Sequence, residues 1–197
     1  MIAQTAHISP AGEYYLRGVM ETASGFKLEE DSSFQFFFSY GALDRFGSGK
    51  WTTKDDKVIL NSLKKHASDF ELVKSQKIKS DKITIKIIDS NAMMLRHIYC
   101  MVEGGNKKQQ GLVNEEGTIS FTSQDVDSLE LVFEFCPEKR SVISLPVKGH
   151  NYFEFRFEPW ILEVLFENFP LEINERELRG LHPLMEPKSY RYEKAGH

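Results

Sequence analysis

The sequence predicts an all-β protein of two domains, and three observations carry that prediction. Fifteen Phe and seven Tyr sit in short apolar runs that alternate with polar residues at a period of two, the pattern of half-buried strands. Clusters of Gly, Asn, Asp and Ser separate the runs at short intervals and read as turns. The pattern changes after Ser62, where the polar stretch Lys64 to Asp69 reads as a hinge. A chain of 197 residues is long enough to bury a proper core in either part. The expected division is a lead-in over 1–11, a first domain over 12–63, the hinge at 64–69 and a second domain over 70–197 that ends in an irregular tail.

The lead-in begins Met1-Ile2-Ala3-Gln4-Thr5, without the charged start and apolar run of a signal peptide. Ile-Ala-Gln ahead of a polar, Pro-containing stretch nevertheless looks like the tail of an export signal, and it weighs equally with an ordinary frayed terminus. A periplasmic or exported setting is expected on the first reading, a cytoplasmic one if this terminus is native. Next comes the most tightly patterned stretch, Gly12 to Ser62. From Ser33 to Tyr40, Phe34, Phe36, Phe38 and Tyr40 alternate with Gln35, Phe37 and Ser39, so one strand face is wholly aromatic and must lie against an apolar partner. Gly25 to Leu28 reads as its partner strand across the turn Glu29 to Ser32. Gly41 to Ser48 reads as a loop, Gly49 to Thr52 as a short strand, and Val58 to Leu60 as another. Together they make an antiparallel meander, half of a barrel.

The order Gly12-x-Tyr14, an extended segment to Leu28, the acidic turn at Asp31, Phe34 and Phe36, Gly49-x-Trp51, then Val58 and Leu60 resembles small lipocalin-like domains of bacterial envelope proteins. The resemblance covers about a quarter of the chain and implies a curved sheet or partial barrel. The cysteine pair that some of those domains carry near this position is missing, so no metal or redox role transfers.

In the second domain Phe70 to Val73 opens a strand, Ile83 to Ile87 alternates with its Ile residues inward, and Asp89 to Ala92 turns the chain. Arg96 to Glu103 reads as a strand with Ile98, Cys100 and Val102 on one face and His97, Tyr99 and Met101 on the other. Gly111-Leu112-Val113 and Thr118 to Phe121 form a hairpin across Asn114 to Gly117. Leu129 to Phe135 alternates again. The succession from Ile83 to Phe135 looks like the transthyretin-like modules related to carboxypeptidase regulatory domains. That likeness implies a β-sandwich of about seven strands and a non-catalytic appendage. Ser141 to Leu145, Tyr152 to Phe157 and Ile161 to Phe166 are further strand candidates, and Leu171 to Asn174 a final edge. Glu175 to Gly180 reads as one helical turn, and the segment from His182 to Tyr192 as an irregular tail packed by its aromatics.

Twenty-five basic and 29 acidic side chains are interspersed along the chain, leaving a formal charge of −4. No basic face is offered to nucleic acid and no polybasic run to a membrane surface. No apolar run approaches the roughly 18 to 20 residues of a membrane-spanning helix, so no integral membrane segment is expected. A bridge between the two cysteines, Cys100 and Cys136, suits a periplasmic setting; two buried thiols suit any compartment, and their place in predicted β segments favours burial.

Two clusters offer chemistry. Met94, His97 and Met101, with Cys100 nearby, are soft ligands of the kind that select Cu(I), although a strand sends His97 and Cys100 to opposite faces. Core filling by Met and Cys beside a surface His is the favoured alternative. The second cluster is Tyr40, Asp44, Arg45 and Trp51, with Glu21 and Ser24 on the neighbouring segment, polar groups gathered at the open end of an aromatic sheet as in a small-ligand site. Against it stands a plain turn, with Asp44 capping and Arg45 paired at the surface. No nucleophile elbow, phosphate-binding glycine loop or zinc or calcium motif occurs, and no cofactor is expected. The sequence therefore favours a non-enzymatic binding or accessory protein, a monomer or weak dimer, holding a small ligand or partner segment at the open end of the first domain. The alternatives are a hydrolase that uses Asp44 with His150 or His182, and a structural β module.

Overall fold

The computed structural model describes residues 9–145 and 148–196, so the first eight residues of the lead-in, with the export-signal reading they carry, lie outside the described residues. The protein is all-β. It divides into two compact units, one made of the residues up to Lys65 together with those from Leu162 onward, the other of His66–Ile161.

The first unit begins with β1 (Gly12–Arg17), β2 (Thr22–Leu28), β3 (Ser33–Tyr40), β4 (Leu43–Lys54) and β5 (Lys57–Asn61). The second unit contributes β6 (Phe70–Gln76), β7 (Lys82–Ile88), the single-turn helix α1 (Ala92–Leu95), β8 (Ile98–Gly104), β9 (Lys107–Leu112), β10 (Thr118–Thr122), β11 (Ser128–Phe133), β12 (Ser141–Ser144) and β13 (Tyr152–Phe157). The chain then returns to the first unit with β14 (Phe169–Ile173), β15 (Glu177–Gly180) and β16 (Tyr190–Lys194).

The eight strands of the first unit close into a barrel in the order β1-β16-β15-β14-β5-β4-β3-β2. Period-two alternation decides its inside and outside. Phe34, Phe36 and Phe38 of β3 point inward and are buried, as are Tyr14, Phe26 and Trp51 on the neighbouring strands. Phe166, on the segment that leads into β14, turns into the same core and meets Phe34 at 5.1 Å and Phe36 at 5.3 Å between ring centroids. Each such ring contributes on the order of 1.5–3 kcal/mol by leaving water. The outer wall carries Glu13, Arg17, Lys27, Gln35 and Lys50, the reverse of the apolar-out pattern of a membrane barrel. Among the described residues no helix is long and apolar enough to cross a membrane.

Several expectations are corrected here. The half barrel is completed by the last 36 residues of the chain, which the sequence reading had placed with the second domain. The segment read as a helical turn contains β15, and the one read as an irregular tail contains β16, because Leu171, Leu178, Tyr190 and Tyr192 supply the inward apolar positions that the barrel needs. Ile161 to Phe166 is not a strand of either sheet; it makes one parallel bridge, between Glu163 and Phe46. The loop read over Gly41 to Ser48 is mostly the first half of the twelve-residue β4. Gly47 and Gly49 lie within that strand because neighbours crowd it: a Cβ at Gly49 would stand 2.0 Å from the carbonyl oxygen of Asn61, and one at Gly47 would stand 2.7 Å from the Phe166 ring.

The second unit is a pair of four-stranded sheets, β10-β7-β13-β6 and β12-β11-β8-β9. They pack face to face, Phe133 of β11 meeting Phe157 of β13 at 5.1 Å. The pairing of β13 with β7 is parallel, a departure from a purely antiparallel arrangement. Cys100 lies on the core face of β8 opposite Leu131, while Cys136 lies past the end of β11; both are buried as thiols, so the bridge weighed from the sequence is not formed. Burial pushes the Cys100 thiol up to about 12, which leaves it protonated and inert at neutral pH.

Candidate functional site

The structure does not gather the cluster expected at the open end of the first domain. Tyr40 and Asp44 flank the β3–β4 hairpin and are exposed, with Asp44 accepting a hydrogen bond from Ser39 Oγ. Glu21 is exposed in the β1–β2 turn with φ of 58°, and the pairing of Thr22 with Tyr40 places it at the same end. Arg45, one residue after Asp44, points inward and is 3% exposed, its Nε donating to the Leu162 carbonyl at 2.9 Å. Trp51 also points inward, but six residues further along β4, about 20 Å at the rise of a strand, with Nε1 donating to the Glu29 carbonyl. Three of the five residues share an end, and the other two are parts of the packed interior.

At the Tyr40 end the interior holds a polar chain that the sequence did not suggest. The backbone N–H of Leu184 donates to Nδ1 of His182 at 3.0 Å, and the ring lies among Phe36, Phe38, Tyr190 and Tyr192. Accepting at Nδ1 leaves the proton of the neutral imidazole on Nε2. That N–H therefore donates to Ser24 Oγ at 3.0 Å, and Ser24 in turn donates to the Phe37 carbonyl at 2.8 Å. The proton order is the opposite of a nucleophilic Ser–His pair, in which the ring nitrogen must receive the hydroxyl proton. Burial pushes the His182 pKa down to about 4, so the ring stays neutral near pH 7. His150 is engaged with Ser75 through Nδ1 at 2.7 Å. Among the described residues no hydrogen bond joins His182 to Asp44 or Tyr40, the geometry that the hydrolase alternative requires of that ring.

The soft-metal cluster does not assemble either. His97 faces Glu134 at Nδ1, 3.0 Å away, and takes the Arg96 Nε–H at its Nε2, 3.3 Å away, so a guanidinium stands where a metal would bind. Met94 lies on α1, while Met101 is buried on the face of β8 away from the sandwich core, paired with Glu130 and Gln110. No group of three or more His, Cys, Asp or Glu is placed to hold a metal among the described residues.

What the barrel does present is a row of outward side chains. The registers Tyr15↔Gly25, Gly25↔Phe37 and Phe37↔Phe46 set four residues side by side across β1 to β4. Tyr15 is 37%, Phe37 39% and Phe46 48% exposed, beside the outward Glu13, Lys27, Gln35 and Lys50 of the same strands. The Phe37 ring leans over Gly25, where a Cβ would meet it at 2.8 Å, and stands edge-on to Tyr15 at 6.2 Å. The two rings flank a cleft of about 180 Å³ whose polar lining is Glu13, Lys27 and Gln35. Those three residues also line an open groove of about 710 Å³ that runs to the β2–β3 turn. Sequence reading missed this row because it followed the inward face of β3. The signal was Phe37, the aromatic out of phase with its neighbours.

Fold and surface together define a class: an all-β protein with a filled, closed eight-stranded barrel and an aromatic cleft on its outer wall. Comparison of the chain with protein-family models, with curated proteins and with solved structures found no match.

Proposed function

We propose that the protein is a non-enzymatic binding or accessory protein that engages its partner through the outer wall of the barrel. One observation carries this reading: Tyr15, Phe37 and Phe46 leave water-facing aromatic surface in register beside the outward Glu13, Lys27 and Gln35, while the interior is filled with rings. Exposed apolar surface that is contiguous and rimmed by polar groups marks interaction sites more often than scattered single residues do. The lipocalin-like layout of the first strands belongs to this proposal, with the ligand moved from the mouth of the barrel to its flank. Export of the protein remains part of the proposal through the lead-in; two buried thiols suit any compartment.

The test is native mass spectrometry of the protein purified from its own host, beside a Phe37→Ala/Phe46→Ala variant. The expected result is a bound species on the wild-type protein that the variant lacks. A wild-type protein that carries nothing, or a species retained equally by the variant, would overturn the reading.

A further inference from the structure

Resting on the proposed wall-binding role, we infer that the occupant of the cleft is an extended cationic peptide segment that lays an arginine against the exposed surface of Tyr15 and Phe37. The cleft and the groove are continuous, because Glu13, Lys27 and Gln35 line both. From Phe37 to Ser33 along β3 the path is about 13 Å, the reach of roughly four extended residues. A linear chain fits such a path better than a compact small molecule.

Charge selects the chemistry of that chain. Along the groove the four carboxylates of Glu13, Glu29, Glu30 and Asp31 outnumber the two ammoniums beside them, Lys27, shared between Glu29 at 3.0 Å and Glu13 at 3.8 Å, and Lys50, 3.6 Å from Asp31. The lining therefore favours a partner that brings positive charge. At the aromatic end two ring faces and edges lie beside the Glu13 carboxylate, which accepts from Tyr15 Oη at 2.8 Å. A planar guanidinium satisfies both: it stacks on a ring and forks to a carboxylate, which a compact ammonium does less well. The exposed Gln35 amide, on the shared floor, offers a donor and an acceptor to the backbone of an extended chain.

The experiment is fluorescence polarisation of the full chain with two labelled tetrapeptide probes, Arg-Ser-Arg-Ser and its citrulline isostere, which keeps the shape and loses the charge. The arginine probe is expected to bind at least about tenfold more tightly than the citrulline probe, and to weaken as salt is raised. Phe37→Ala is expected to weaken it by about tenfold, with Phe37→Trp retaining binding and circular dichroism confirming that both variants are folded. Equal binding of the two probes, or unchanged binding by folded Phe37→Ala, overturns the inference. Failure of both probes, alongside a bound species in the native mass spectrum that depends on Phe37 and Phe46, overturns the cationic peptide and leaves the wall-binding role standing. Concentration-dependent dimerisation that Phe37→Ala abolishes also overturns it, since a second copy of the chain would then be the occupant.

Discussion

The phenol of Tyr192 is buried inside the barrel, and among the described residues its hydroxyl is a buried side-chain oxygen without a hydrogen-bond partner. Leaving a buried hydroxyl unsatisfied costs on the order of 1–3 kcal/mol. Tyr192→Phe is therefore expected to keep or raise stability, by about 1 kcal/mol, in a urea or thermal melt; a clear loss would show that the hydroxyl is satisfied by water. Its neighbour His182 yields a prediction about pH. The folded-state pKa is depressed from 6.5 to about 4 by burial, so between those values the unfolded chain binds a proton that the folded chain does not. The His182 contribution is thus fully present above about pH 6.5 and is lost as pH falls toward 4, by up to about 3 kcal/mol. Unfolding free energies of the wild type and His182→Gln, measured from pH 7 to pH 4, are expected to converge as the pH falls; parallel curves would show that the ring is not held neutral. The sequence named both members without joining them: Ser24 stood beside the candidate ligand cluster and His182 was a histidine of the hydrolase alternative, but no spacing pairs residues 158 apart.

Among the elements, β4 shows what local pattern can and cannot reveal. Its second half was readable from Gly49 to Thr52, while its first half was taken for a loop on account of Gly41, Gly47 and Gly49. Extending the same alternation back to Leu43 would have placed Arg45 inward and Asp44 outward, as observed, and separated the proposed ligand residues at once. The glycines answer to packing rather than to flexibility. Gly49→Ala would drive a Cβ against the Asn61 carbonyl at 2.0 Å, where backbone must move on both strands, and it is expected to cost at least the 1–3 kcal/mol typical of overpacking. A melting temperature equal to that of the wild type would refute the crowding. By contrast β3 and β7 were legible almost residue by residue, because each buries one face only and therefore carries its register in its composition.

Across the whole molecule the all-β class was legible, and the chain divides after Lys65 and again before Leu162. The second boundary was not legible, since alternation says that Leu171, Leu178 and Tyr192 are strand residues but not which sheet they join. The structure places an entire sandwich between two adjacent barrel strands, β5 and β14. A chain in which a short Gly-Ser linker replaces 66–161 is therefore expected to fold as a closed barrel with a cooperative melt. One truncated after Ile161 is expected to lose the barrel, because β14, β15 and β16 leave with the tail; a stable barrel melt from the truncated chain would contradict this closure. The pairing of Tyr14 with Lys194 also has a consequence on the ribosome. The barrel cannot close until β16 has emerged, so the aromatic face of β3 and the open edges of β1 and β5 must wait while the inserted sandwich is synthesised. Contacts of such long sequence separation make for slow folding and a period of exposed, aggregation-prone surface.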